Sequence, residues 1–330
     1  MADQIDFEVR TQAPTLDHYR RQWVPGPGVG PAGMWIGAVV ADSSGQDYWG
    51  LRGADDFLVG MTHVVSPITG FKKLPASFNP EPPHLFPEYS TIDWFEPMEY
   101  HDTGEKVSLQ YYSGRIERDD DGFHWYDASG RWEMHGKNVT DVFTVHVPAQ
   151  GAIADEVYYR HELMAATGVI EGIEVSGYLH QDYAYGPPGT IYPELPIARR
   201  LQGMWVSWLH EYPDGQWGGG CFWQGRDGLS FGPGYQLKDG ITTAHDDIVA
   251  TPTFNDEGKL TRLDASISSD TYSFEFDTSG SFIHFFGRLV DSSSGKRPAR
   301  SWCWVEYAGG MLTPEILDLM LQRFRLARGR

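Results

Sequence analysis

Two-residue alternation dominates this chain and limits what it can fold into. In VSLQYYSGRIERDDDGFHWYDASGRWEMHG, residues 107–136, apolar and polar side chains alternate between turns rich in Gly and Asp. TRLDASISSDTYSFEFDTSGSFIHFFGRLV, residues 261–290, does the same, with Asp-Thr-Ser-Gly read as a hairpin loop. Successive side chains of a strand point to opposite faces, so each segment commits one face to a core. With 38 Gly and 21 Pro, nearly every apolar run is cut short. Many short strands at regular spacing give a sandwich or barrel. Only TPEILDLMLQRFRLARGR reads as a full helix, with Thr313 as N-cap, Pro314 at the first helical position and Glu315 in the first turn. A short helix is expected within TLDHYRRQW near the start.

The chain also repeats itself. MWIGAVVADSSGQ begins at Met34 and MWVSWLHEYPDGQ at Met204; both open Met-Trp and close Gly-Gln at equal spacing. The same offset sets Trp132 on Trp302. Two copies of one β-barrel unit are the economical reading. The boundary is placed near TGVIEGIEVSG, giving units 1–170 and 171–330.

Composition removes several function classes. The net charge of −19 repels phosphate backbones and anionic membrane surfaces, so no nucleic-acid partner is expected. No apolar run approaches the ~20 residues of a membrane helix, and the opening MADQIDFEVR has no secretory character. A cytoplasmic protein without membrane insertion is the expectation. Cys221 and Cys303 are expected to be free and buried. No GxSxG elbow is expected between a strand and a helix, no GxGxxG follows a strand, and no Walker loop or CxxC occurs; HExxH fails because Ala165 stands where a second metal-binding histidine would be. GPGVGPAG, at Gly26–Gly33, is read as a loop, since its prolines lack the N–H groups a phosphate cradle needs. No metal or cofactor is expected.

Candidates for chemistry lie in polar positions of aromatic strands. SGYLHQDYAYGPPG, Ser176–Gly189, places Tyr178, His180 and Asp182 on one face and Leu179, Gln181 and Tyr183 on the other. A buried face of that kind must satisfy its own polar groups or bind something; a solvent-facing edge is the alternative. In WCWVEY, Trp302, Trp304 and Glu306 share a face. Facing inward, Glu306 would be desolvated and its pKa raised, as a general acid requires; facing outward, it would meet solvent or pair with Arg300. In MWVSWLHEY, Trp205 and Glu211 share one face, Trp208 and His210 the other.

Together these features resemble the carotenoid-hydratase/AttH-like family. Asp182-Tyr183-Ala184-Tyr185-Gly186 is similar to that family's Asp-His-x-Trp-Gly element, with Tyr183 in place of His and Tyr185 in place of Trp. Met204-Trp205 through Asp214-Gly215, GYQLKDG and WVEYAGG resemble its later strands, and MWIGAVVADSSG and FEPMEYHDTGEKVSLQYYS its earlier ones. The resemblance implies two consecutive lipocalin-like antiparallel β-barrels with a C-terminal helix. It implies a hydratase or dehydratase acting on a C=C bond of a hydrophobic, isoprenoid or prenylated small molecule. A pericyclase-like cyclase or isomerase and a non-enzymatic binder of an apolar ligand stand beside it. On the hydratase reading, Asp182 donates the proton and Tyr178, His180 or Glu306 handles water. Trp205, Trp302 and Trp304 stabilise a cation, and Trp35, Trp208, Tyr183 and Tyr185 complete the substrate wall. Leu317, Met320, Leu321 and Phe324 give the last helix an apolar face that could rest on its own barrel or on a second copy's.

Overall fold

The alternating segments become strands almost throughout. The computed structural model describes residues 4–54, 58–67, 95–111, 114–127, 130–276, 283–308 and 313–328. Twelve strands make the first sheet: β1 (Glu8–Gln12), β2 (Gly30–Asp42), β3 (Asp47–Ala54), β4 (Leu58–Pro67), β5 (Phe95–Asp102), β6 (Lys106–Tyr111), β7 (Gly114–Asp119), β8 (Phe123–Asp127), β9 (Trp132–Asn138), β10 (Val142–Val147), β11 (Val157–Ile170) and β12 (Ile173–Gly186). Nine make the second: β13 (Met204–Glu211), β14 (Trp217–Gln224), β15 (Gly234–Lys238), β16 (Ile241–His245), β17 (Val249–Phe254), β18 (Leu260–Ile267), β19 (Asp270–Phe276), β20 (His284–Ser292) and β21 (Arg300–Tyr307). Helix α1 (Pro314–Arg328) follows. The fold is all-β, two curled antiparallel sheets and a C-terminal helix, as expected.

Connectivity explains the curl. The long strand β11 pairs with β10 through its first half and with β9 through its second. Pairing β9 to β11 joins β11, β12 and β2 to β9 into a ring, leaving β10 and β1 as a flap. In the second sheet the order runs from β16 back to β13, then β21 back to β17, so its two edges are consecutive strands. In each sheet the last strand pairs with the strand that opens Met-Trp: β12 with β2, and β21 with β13.

That symmetry corrects three expectations. The division at 170/171 falls inside the β11–β12 hairpin. Glu171 (φ 49°) and Gly172 (φ 85°) make a tight left-handed turn, and β12 folds back onto β11. The chain passes between sheets in residues 187–203. The repeat relates β2 to β13, but Trp132 lies in β9 and Trp302 in the closing strand β21, so those two are not equivalent. Within GPGVGPAG, β2 already begins at Gly30; Pro31 is accommodated where the β12–β2 register shifts. The Asp-Thr-Ser-Gly loop lies outside the described residues.

Three apolar layers result. Ile36, Trp125, Met134 and Leu179 fill the first barrel. Val206, Trp208, Phe274 and Val305 fill the second. Between them lies a third layer with Val39, Trp49, Tyr178, Trp205, Trp302 and Trp304, drawn from both sheets. The strands of the Met-Trp repeat therefore bury both faces, one in a barrel and one between barrels. Cys221 and Cys303 are free and buried. The first turn of α1 is capped by Thr313, and Leu317 packs with Ala198, Ile283 and Ala308 of its own chain. The side chain of Phe324 lies outside the described residues. No helix among the described residues is long and apolar enough to cross a membrane.

Candidate functional site

The polar face of β12 points neither into the first barrel nor to water. It faces the second sheet. Tyr178, His180 and Asp182 stand opposite Val39, Gly37 and Trp35 of β2, and all three are buried. Gly37 makes room for this: a Cβ there would sit 1.9 Å from His180 Nε2 and 2.3 Å from the Trp304 ring. Tyr178 crosses the layer to Ser207, its hydroxyl 2.8 Å from Ser207 Oγ and 3.3 Å from the carbonyl it donates to. Burial pushes its pKa far up, so it is a neutral tie between sheets.

The second sheet answers with Glu306. In β21, Trp302, Trp304 and Glu306 share the face turned to β12 and β2, and Trp205 of β13 stands opposite Glu306. The pairing Trp205–Glu306 in one sheet thus repeats Trp35–Asp182 in the other. Two carboxyl groups, one from each closing strand, meet in one aromatic layer. His180 lies between Trp205 and Trp304, its ring centroid 5.0 Å from each. Arg300 is spent elsewhere, on Glu211 and Ser176.

The hydrogen bonds give the two carboxyls different tasks. Trp205 Nε1–H donates to the Tyr159 hydroxyl (2.7 Å), which in turn donates to Asp182 Oδ2 (3.0 Å). Asp182 Oδ1 has no hydrogen-bond partner and lies 3.5 Å from His180 Nδ1. Neither ring nitrogen of His180 has a hydrogen-bond partner. Glu306 Oε2 accepts from Gln202 Nε2 at 3.1 Å, and Gln202 Oε1 accepts from Tyr192. Burial, then the charge of Asp182, push the Glu306 carboxyl up to about 8, against the lowering effect of Gln202. Trp304 Nε1–H donates to His284 Nδ1 (3.1 Å), which sits 3.4 Å from Glu306 Oε1.

The nearest histidine, His161, stacks on His180 at 5.4 Å and hydrogen-bonds the Tyr235 hydroxyl through Nδ1 (2.9 Å). Burial and the neighbouring His180 hold its pKa well below the ordinary value, so it is neutral. Trp35 is partly exposed and packs edge-on against Tyr192 at 4.5 Å. The Glu306 side chain keeps 22% of its surface exposed, so this is the open edge of the layer.

Not every expected residue gathers here. Trp208 faces the interior of the second barrel, against Phe222, Tyr272 and Phe274, because it alternates with Trp205. Tyr183 and Tyr185 alternate with Asp182 and line a pocket in the first barrel. Trp302 belongs to the layer but lines a cleft at its far end with Ser176 and Arg300. Asp182, His180 and Glu306 line neither cavity. Conversely, Tyr159, His161, Gln202 and His284 join the site without being expected from the sequence. VYYRHELM alternates cleanly, and that pattern already sets Tyr159 and His161 on the face opposite Arg160 and Glu162. His284 and Gln202 come from segments with no such signal.

Comparison with known proteins finds only distant likeness. No family model matches, and no curated protein matches. Among solved structures, the chain is similar to one from Nitrosomonas europaea described provisionally as AttH: 10% identity, 83% of this chain and 92% of that one covered, TM-score 0.39. It is also similar to kievitone hydratase from Nectria haematococca, at 7% identity over 84% of this chain and 90% of that one, TM-score 0.34. Likeness this slight transfers no residue role, and the chemistry of the site rests on its own geometry.

Proposed function

We propose that the layer between the sheets is the active site of a cofactor-independent hydratase or dehydratase acting on the C=C bond of a hydrophobic small molecule. The observation that carries this is the pair of carboxyls, Asp182 and Glu306, brought from two closing strands into one tryptophan-walled site with the Glu306 carboxyl pushed up to about 8. Addition of water to an alkene needs both an acid and a base. Glu306, rather than Asp182, is the acid: it gives its proton to one alkene carbon, and the π electrons form the new C–H bond. The cation left on the other carbon faces Trp205 and Trp304, whose ring faces stabilise it by ~0.5–2 kcal/mol each. Water then supplies its oxygen to that carbon and its proton to the His180–Asp182 pair. The pair then releases that proton to solvent and Glu306 takes one up at the exposed edge, so one water is consumed and nothing else. Dehydration is the same path reversed. Substrate reaches the carboxyls past Trp35 and Tyr192, whose rings must part to admit it. An isoprenoid or prenylated substrate, whose branched alkene carbon can carry the cation, fits this reading.

The test is incubation with a panel of prenylated phenols and short isoprenoid alkenes in water enriched in oxygen-18, read by mass spectrometry. The expected product carries one labelled water, and Glu306→Gln and Asp182→Asn each abolish it while the circular dichroism is unchanged. A product isomeric with its substrate and free of label, or full turnover by Glu306→Gln, would overturn the proposal.

A further inference from the structure

The interior of the first barrel holds a second constellation that the interlayer site does not use. Arg160 of β11 is 1% exposed. Its Nη1 donates to the carbonyl of His18, but Nε and Nη2 have no hydrogen-bond partner. No carboxylate lies within ion-pair distance of it among the described residues. The one carboxylate on the same strand face, Glu162, is already engaged: its Oε2 accepts from Tyr19 and from Asn138 Nδ2 (2.6 Å) and lies 3.6 Å from Arg118 Nη2. This network therefore buries two guanidinium groups against one carboxylate. His18 adds no charge, since burial and Arg160 lower its pKa below the ordinary value. A buried cation without a counter-ion is costly, and an anion drawn in from outside would remove the cost.

The surroundings define the rest of that anion. The guanidinium stacks on Tyr183 (3.9 Å) and lies near Trp23 (5.1 Å) and Tyr19 (5.3 Å). The same three rings, with Tyr185, Met34 and Met98, line a pocket that is open to solvent. Its rim carries Arg20, paired with Asp17 and Asp102, and Arg21. Flat aromatic walls, with a buried guanidinium short of partners stacked on Tyr183, suit a flat apolar body with one carboxylate.

We infer that the first barrel binds a small aromatic carboxylic acid, its carboxylate meeting Nε and Nη2 of Arg160. Binding forms two N–H···O bonds and breaks no covalent bond; Tyr183 and Trp23 shift aside to admit the carboxylate. Isothermal titration of the full chain with 2-naphthoate and with its neutral amide tests this. The acid should bind at least about tenfold more tightly than the amide. Arg160→Gln should erase that preference, and Met98→Trp, which fills the mouth, should abolish binding of both. Glu306→Gln should leave the acid's affinity unchanged, which separates this pocket from the interlayer site. Equal affinity for acid and amide, a preference retained by Arg160→Gln, indifference to Met98→Trp, or no binding of the acid up to millimolar concentration would each overturn the inference. Should Arg160→Gln fail to fold, the acid–amide difference and Met98→Trp decide it.

Discussion

Replacing Glu306 by Gln should change how stability depends on pH, and the size follows from the structure. In the unfolded chain the carboxyl titrates near 4.5; in the folded protein, burial and Asp182 move it to about 8. The native state therefore binds more protons than the unfolded state throughout that window. Stability must fall as pH rises through it, and the favourable contribution is fully present only at its acid end. Every pH unit between the two titration points is worth about 1.4 kcal/mol, so the whole window is worth about 5 kcal/mol at most. The exposed fifth of the side chain lets solvent lower this to roughly 2–4 kcal/mol. Gln keeps the shape and the contact with Gln202 but cannot titrate. Urea unfolding of both proteins from about pH 5 to about pH 9 reads the difference directly. The wild type should lose roughly 2–4 kcal/mol relative to Glu306→Gln across that range, most of it between about pH 6 and about pH 8. Parallel pH profiles would refute the reasoning, because they would mean that Glu306 titrates alike in both states.

Other expectations follow from the same layer. Gly37→Ala drives a methyl into His180 and Trp304 and should cost about 1–3 kcal/mol, seen as a lowered melting temperature; an unchanged melting temperature would contradict the close approach. Tyr178→Phe leaves Ser207 without its partner across the sheets and should cost about 1–2 kcal/mol in chemical denaturation. His210, pushed down to about 4 by burial in the second barrel, is neutral when folded, so stability should fall as pH drops from 6.5 toward 4. His210→Gln should remove up to about 3 kcal/mol of that acid-side loss, measured as the difference between the two unfolding profiles.

Much of the fold is legible because alternation is a local property. WCWVEY places Trp302, Trp304 and Glu306 together, and YLHQD places Tyr178, His180 and Asp182 together, as the structure has them. What alternation cannot say is what each face meets. Both faces of β13 and β21 are buried, so apolar content does not distinguish the inside of a barrel from the layer between barrels; Trp208 and Trp205 look alike in sequence and lie in different cores. The Met-Trp repeat is real for β2 and β13, yet its offset does not carry to the closing strands, because the first sheet has more strands and a longer path. Glu171 is the hidden turn residue: no rule marks a glutamate for a positive φ, so the β11–β12 hairpin reads as a boundary. Arg160 and Glu162 flank a histidine on β11, and nothing local says that their shared face turns into the first barrel.

The claim at the centre is that Asp182 and Glu306 occupy one site although they come from different sheets. Carbon-13 NMR of glutamate-labelled protein tests it, with Glu306→Gln assigning the resonance and Asp182→Asn as the perturbation. The account predicts that Glu306 titrates near 8 in the wild type and moves to lower pH once the charge of Asp182 is removed. A Glu306 carboxyl that titrates at its ordinary 4.5, or one indifferent to Asp182→Asn, would contradict it.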